Sequence, residues 1–251
     1  MRLRIAWIVL LLVLVPVIGH AAKKKKPLFI EVTPASGGLP LVTLTASDEP
    51  LSEIAQRLAK ELGTTIDVSD AAGKLRVTTE LDQQPLDLTL REFAPQAYVD
   101  AILSGGANGR IEIQTIHLRN AGETVPSLDK LARRNSEALM FFGNTEDPAV
   151  DPLAGQLEVT YRNERLRVFA RKQPVSVVVS RIADVLGIPL ELIGDPLELI
   201  NLSVIDATLE QTMKALPSSV KLYQRVDLAT FRVTPVRIVV EAPFETAKPN
   251  P

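Results

Sequence analysis

The 251-residue sequence has no cysteine, two histidines and one tryptophan, and only 4% of it is aromatic. The missing cysteines exclude thiol nucleophiles, disulfide scaffolds and cysteine-ligated metals. So few aromatics supply little for sugar-stacking platforms. There is no P-loop, no HExxH, no GxSxG elbow and no GxGxxG after a strand. A large charge of one sign is also lacking: the formal net charge is −2. Nothing in the overall electrostatics therefore favours nucleic acid. These absences predict a protein without catalytic, metal-binding or cofactor-binding residues.

The N-terminus is informative. Arg2 and Arg4 precede an unbroken apolar run from Ile5 to Ile18, 14 residues long. A spanning helix needs about 20 apolar residues. Pro16 breaks the helix near the end of the run, and Gly19 and Ala21 place small residues at the −3 and −1 positions of a cleavage site. Residues 1–21 thus read as a secretory signal peptide, which predicts a periplasmic protein. Lys23, Lys24, Lys25 and Lys26 follow directly and oppose the charge bias that orients export. An uncleaved signal, anchoring a periplasmic domain in the inner membrane, is the alternative. Cleavage removes Trp7, His20, Arg2 and Arg4, so 28 basic residues become 26 against 30 acidic ones. The basic stretch at 22–27 is a candidate tether to anionic lipid or cell-wall polymer.

An internal repeat is the strongest signal. Residues 42–68 (VTLTASDEPLSEIAQRLAKELGTTIDV) align without gaps on residues 166–192 (LRVFARKQPVSVVVSRIADVLGIPLEL), a shift of 124. Each copy holds an alternating strand and then a helix with one apolar stripe: Leu51, Ile54, Leu58 and Leu62, or Val175, Val178, Ile182 and Leu186. Pro50 and Pro174 suit the first helical position. Gly63 and Gly187 suit a left-handed C-cap, and a short strand follows. Further strands are expected at Leu75 to Leu81, Leu86 to Leu90 and Leu199 to Val204. A second helix in each copy is expected from Pro95 to Leu103, and after a cap at Asp206. Closing strands are expected at Ile111 to Leu118, Val220 to Val226 and Thr230 to Val240. The predicted class is α+β: two similar small domains, each with two helices packed on small mixed sheets. Their expected limits are 28–118 and 157–240. A linker at 119–156 carries one helix from Ser127 to Phe142, and 241–251 is a disordered tail.

The order strand, "P-L-x-x-I-x-x-x-L-A-x-x-L-G" helix, short strand, second helix and closing "L-Y…F-x-V" resembles the secretin and TonB receptor short N-terminal domain. The matching residues are Pro50, Leu51, Ile54, Leu58, Ala59, Leu62, Gly63 and Ile66 in the first copy. In the second they are Pro174, Val175, Val178, Ile182, Ala183, Leu186, Gly187 and Leu190, with Leu222, Tyr223, Phe231 and Val233 closing. All are packing or capping positions. The resemblance implies a periplasmic adaptor that contacts secretin, pilus or TonB-system components. No long β-rich region follows the second copy, so a pore or receptor barrel is not implied.

Chemical candidates are sparse. His117, in an alternating strand, has no motif partner. Asp67, Asp70, Glu146, Asp147 and Asp151 do not match the spacing of a calcium loop. Gly105, Gly106 and Gly109 precede a strand and read as a hairpin turn. On the second helix Val177, Val179 and Val185 replace Glu53, Ala55 and Glu61, which makes it apolar on more than one face. These valines are candidates for an interdomain contact, or for a partner or self-association surface. The expected function is a non-enzymatic interaction module. The alternative is an envelope-binding protein that holds lipid or peptidoglycan through Lys23–Lys26, with membrane contact only by that tether or an uncleaved signal.

Overall fold

The computed structural model describes residues 27–35, 39–132, 139–141, 156–194, 196 and 198–241. The expected signal peptide, the lysines at 23–26, most of the linker and the tail beyond 241 lie outside the described residues.

In the first half the chain runs through β1 (Phe29–Thr33), β2 (Leu41–Pro50), α1 (Leu51–Leu62), β3 (Thr65–Val68), α2 (Asp70–Gly73), β4 (Arg76–Pro85), α3 (Leu86–Phe93), β5 (Gln96–Ser104) and β6 (Ile111–Arg119). A short α4 (Asp129–Ala132) and β7 (Leu139–Phe141) follow. The second half contains β8 (Leu157–Arg162), β9 (Arg165–Pro174), α5 (Val175–Leu186), β10 (Leu190–Ile193), β11 (Leu199–Ala207), α6 (Leu209–Ala215), β12 (Val220–Asp227) and β13 (Arg232–Glu241).

Alternation in β2 buries Val42, Leu44 and Ala46, and in β9 it buries Leu166, Val168 and Ala170. The extended backbone of Pro50 and Pro174 makes them N-caps, one position earlier than expected. Gly63 and Gly187 end α1 and α5 with φ of 64° and 66°. Both adopt the left-handed geometry that only glycine takes without strain.

Among the described residues three sheets result: β1-β2-β4, β11-β9-β8, and one seven-stranded sheet of order β3-β6-β5-β12-β13-β10-β7. Helices α1 and α3 touch both the first three-stranded sheet and the seven-stranded one; α5 and α6 do the same in the second half. Each pair is therefore wedged between two sheets, where its apolar stripe is buried on both sides. The three-stranded sheets are wholly antiparallel rather than mixed. The large sheet is mixed, because β3 runs parallel to β6 and β10 parallel to β13.

The large sheet draws strands from both copies of the repeat. Its join is the antiparallel β5–β12 pair, where Asp100 faces Arg225 and Ala101 faces Gln224. Residues 124 apart exchange across the point between these two pairs, so the join lies on a local two-fold axis. Apolar residues cross it: Leu103 packs in the second core, and Leu228 packs in the first. Gly105 seals one end, for a Cβ there would lie 2.1 Å from the Pro217 carbonyl oxygen.

Several expected elements differ. Residues 86–90 are helical, with Leu86, Leu90 and Phe93 buried in one stripe. The expected helix from Pro95 to Leu103 is strand β5. It is buried on both faces at the centre of the sheet, so it shows no alternation from which to read its period. Thr208, not Asp206, caps α6, in a reciprocal capping box with Gln211. Asp206 sits at φ 52° within a β-bulge. Among its described residues the linker carries the single turn α4 and the short strand β7, so 139–141 are strand where one helix over 127–142 is expected. Among the described residues no helix is long and apolar enough to cross a membrane.

Candidate functional site

Alternation in β5, β6 and β12 sends Val99, Ala101, Ile116, Leu118 and Leu222 towards the helices. It must send Asp100, His117 and Arg225 to the opposite face of the sheet. They are buried there, at 4%, 6% and 4% exposure. Buried charge is costly unless it is paired, and these groups are. Arg225 forks onto Asp100, Nε donating to Oδ1 at 2.5 Å and Nη2 to Oδ2 at 2.7 Å. This is the bidentate geometry that makes guanidinium–carboxylate contacts both strong and directional.

On the neighbouring strand, His117 Nε2 lies 3.0 Å from Asp100 Oδ2, and Nδ1 lies 3.0 Å from Asp67 Oδ2. Asp67 comes from β3, which pairs with β6 in parallel and sets Asp67 beside His117. Arg119 Nη2 donates to the same Asp67 oxygen, while its Nη1 donates to the carbonyls of Asp67 and Leu118. The remaining donors of Arg225 reach the linker: Nη1 to the Pro126 carbonyl and Nη2 to that of Ser127. Burial alone pushes the Asp67 and Asp100 carboxyls up. Hydrogen bonds and positive charge outweigh it: Arg119 and His117 at Asp67, Arg225 and His117 at Asp100. Both carboxyls therefore lie below the ordinary carboxylate range.

A second cluster occupies the same face in the second half. Glu191, at the position of Asp67 under the 124-residue shift, accepts from Arg237 Nη1 at 2.7 Å. Arg237 Nε donates to the Leu131 carbonyl at 3.0 Å, and its guanidinium lies 3.8 Å over the Tyr223 ring. Linker carbonyls at 126, 127 and 131 thus hold the strap to the sheet through two buried arginines. At the strap's start, Glu123 Oε2 accepts from Ser69 Oγ at 2.5 Å and from the Asn120 amide at 2.6 Å. These two bonds lower its pKa.

The arrangement ties β3, β5, β6 and β12 to one another and to the carbonyls of Pro126 and Ser127. The ring nitrogens of His117 meet carboxylates and a guanidinium, whereas covalent catalysis needs a base touching a nucleophile. Among the described residues no group of three potential ligands is arranged to hold a metal ion. A groove of about 630 Å³ lies elsewhere, lined by Leu81, Gln84, Leu88, Thr89, Arg91 and Glu92. Arg91 there stacks on Phe231 at 4.7 Å.

Of the candidates read from sequence, Asp67 and His117 come together in the first cluster. Asp70 opens the short helix α2. Gly105, Gly106 and Gly109 form the β5–β6 hairpin turn. Glu146, Asp147 and Asp151 lie outside the described residues. The three valines do not form one surface. Val177 is 44% exposed, Val179 is fully buried in the second core, and Val185 packs partly against it. Val179 is therefore a core residue, because its position on α5 faces the sheet. Sequence reasoning missed Asp100, Arg119, Arg225, Glu191 and Arg237. Their signal was a solitary charge inside an apolar strand, as in AYVDAIL and LYQRV. Comparison with family models, curated proteins and solved structures finds no match for the chain.

Proposed function

We propose that the chain is a non-enzymatic protein-interaction module of the cell envelope. In this reading it is a tandem of two similar small α+β domains like the secretin and TonB receptor short N-terminal domain. It is exported to the periplasm and serves as an accessory of a secretion, pilus or envelope-transport system. The observation that carries it is the division of labour in the fold. Buried ionic groups are consumed in joining the two halves and their linker, while the two three-stranded sheets keep β1, β4, β8 and β11 as outer strands. Such edges offer unpaired N–H and C=O groups to an added strand, the mode by which many adaptor domains bind extended peptides. The signal-like N-terminus and the repeat support the location and the family reading.

Crosslinking the full chain in intact cells tests this. Co-purification of secretion, pilus or TonB-system components is the expected result. Recovery of lipid or cell wall alone, lost at high salt or on replacing Lys23–Lys26, overturns it in favour of envelope binding.

A further inference from the structure

The two outer strands β4 and β11 are equivalent, yet their exposed sides differ. Pairing sets Arg76 opposite Pro50 in the first half and Leu199 opposite Pro174 in the second; Leu81 with Leu44 corresponds likewise to Val204 with Val168. The exposed positions along β4 are therefore Arg76, Thr78, Glu80 and Asp82. At the same places β11 carries Leu199, Asn201, Ser203 and Ile205. Every charge has become neutral, and the outermost two have become aliphatic. Leu199 is 62% exposed and Ile205 71%. Charged residues are the usual device that keeps an open edge from pairing, and β11 lacks it over this run.

The strand is also self-complementary. Laid antiparallel against a second copy of itself about Leu202, Leu199 falls opposite Ile205, Ile200 opposite Val204 and Asn201 opposite Ser203. Apolar meets apolar and polar meets polar at every step, the pairing that stabilises neighbouring strands. The pairing with β9 shifts between Ile200 and Leu202, where the extra residue lies on β9 and leaves the outer side of β11 in step, and again at Ile205–Asp206, where β11 itself bulges and this register ends. The chain already uses the same device internally, for β5 and β12 are equivalent strands joined antiparallel about a local two-fold.

We propose that β11 is a self-association edge, through which two copies of this chain pair antiparallel about Leu202 to form a continuous six-stranded sheet. This goes beyond the adaptor reading and stands whether or not a secretion or transport partner is found.

The absence of native cysteine makes the register directly testable in the full-length chain. Leu199→Cys and Ile205→Cys chains are co-expressed in intact cells with distinguishable tags and oxidised. A disulfide between the two differently tagged chains is expected, while each variant expressed alone stays uncrosslinked. Light scattering of the purified wild-type chain is expected to give a concentration-dependent dimer. Ile205→Lys weakens it by roughly 100-fold, since two isoleucines that pack on Leu199 across the seam are exchanged for two charges, while at concentrations where both chains are monomeric the melting temperature is unchanged. Asp82→Lys, at the equivalent place on β4, leaves the dimer intact. A wild-type monomer at all concentrations, a dimer insensitive to Ile205→Lys, or crosslinking of either variant with itself overturns the proposal. So does capture of a different protein's strand at β11 in place of a second copy.

Discussion

Asp100 and Arg225 each sit in an apolar strand, and neither is tolerable alone. Arg225→Met leaves the Asp100 carboxylate buried with its main partner gone, which costs about 3–5 kcal/mol. Asp100→Leu strands the guanidinium to a similar extent. The double variant loses clearly less than the two single losses combined, and a double-mutant cycle by urea unfolding measures the difference. The same carboxyls set the acid response. Asp67 and Asp100 titrate lower in the folded chain than in the unfolded one. The stability they contribute is complete above the unfolded carboxylate value of about 4 and is lost as pH falls through it towards the folded values. The urea midpoint is therefore expected to hold from neutrality to about pH 5 and to fall below about pH 4. Asp100→Asn makes that fall shallower. Gly105 offers a steric test at the same join. Gly105→Ala drives a methyl into the Pro217 carbonyl and is expected to cost about 1–3 kcal/mol, the range for a forced overlap in a packed site.

Helices α1 and α5 show why some elements were legible and others were not. Each is amphipathic, starts after a proline and stops at a glycine, so stripe, start and stop could all be read from the chain. Strand β5 offers none of these. Residues Ala97 to Leu103 are all buried, and apolar residues stand on both faces, so the 2-residue period vanishes. Misreading 95–103 as a helix also hid Asp100, because a lone acid on a helix suggests a solvated face rather than a buried ion pair. His117 and Asp67 were visible as residues, but only the parallel β3–β6 register sets them side by side. The valines of α5 now separate by position. Val179→Glu buries an unpaired carboxylate in the second core and is expected to destabilise the whole cooperative fold by several kcal/mol. Val177→Glu, on the exposed side, is expected to change stability by no more than about 0.5 kcal/mol. Thermal melts of the two variants check both outcomes. Retention of wild-type partner binding by folded Val177→Glu would exclude Val177 from any partner surface.

The sequence divides into two repeats with a linker, and taken alone that suggests two bodies that unfold independently. The continuous seven-stranded sheet argues otherwise. Hydrogen bonds cross from β5 to β12, apolar residues are exchanged between the cores, and a buried ion pair sits on the local axis. One cooperative transition is expected from calorimetry of the wild-type chain, with coincident probes in both halves. Weakening the join by Arg225→Met is expected to split it into two. A wild-type chain that melts in two steps would show the join to be incidental to stability. The linker's part in this has a further consequence. Arg225 and Arg237 grip the carbonyls of Pro126, Ser127 and Leu131, and a carbonyl is the same on every residue. Substitution along 126–128 therefore leaves the grip itself intact, whereas inserting or deleting one residue puts the wrong oxygens under the guanidinium groups. The strap is tolerant of spelling and intolerant of length, a signature that related sequences, once aligned, would display as gap-free variation.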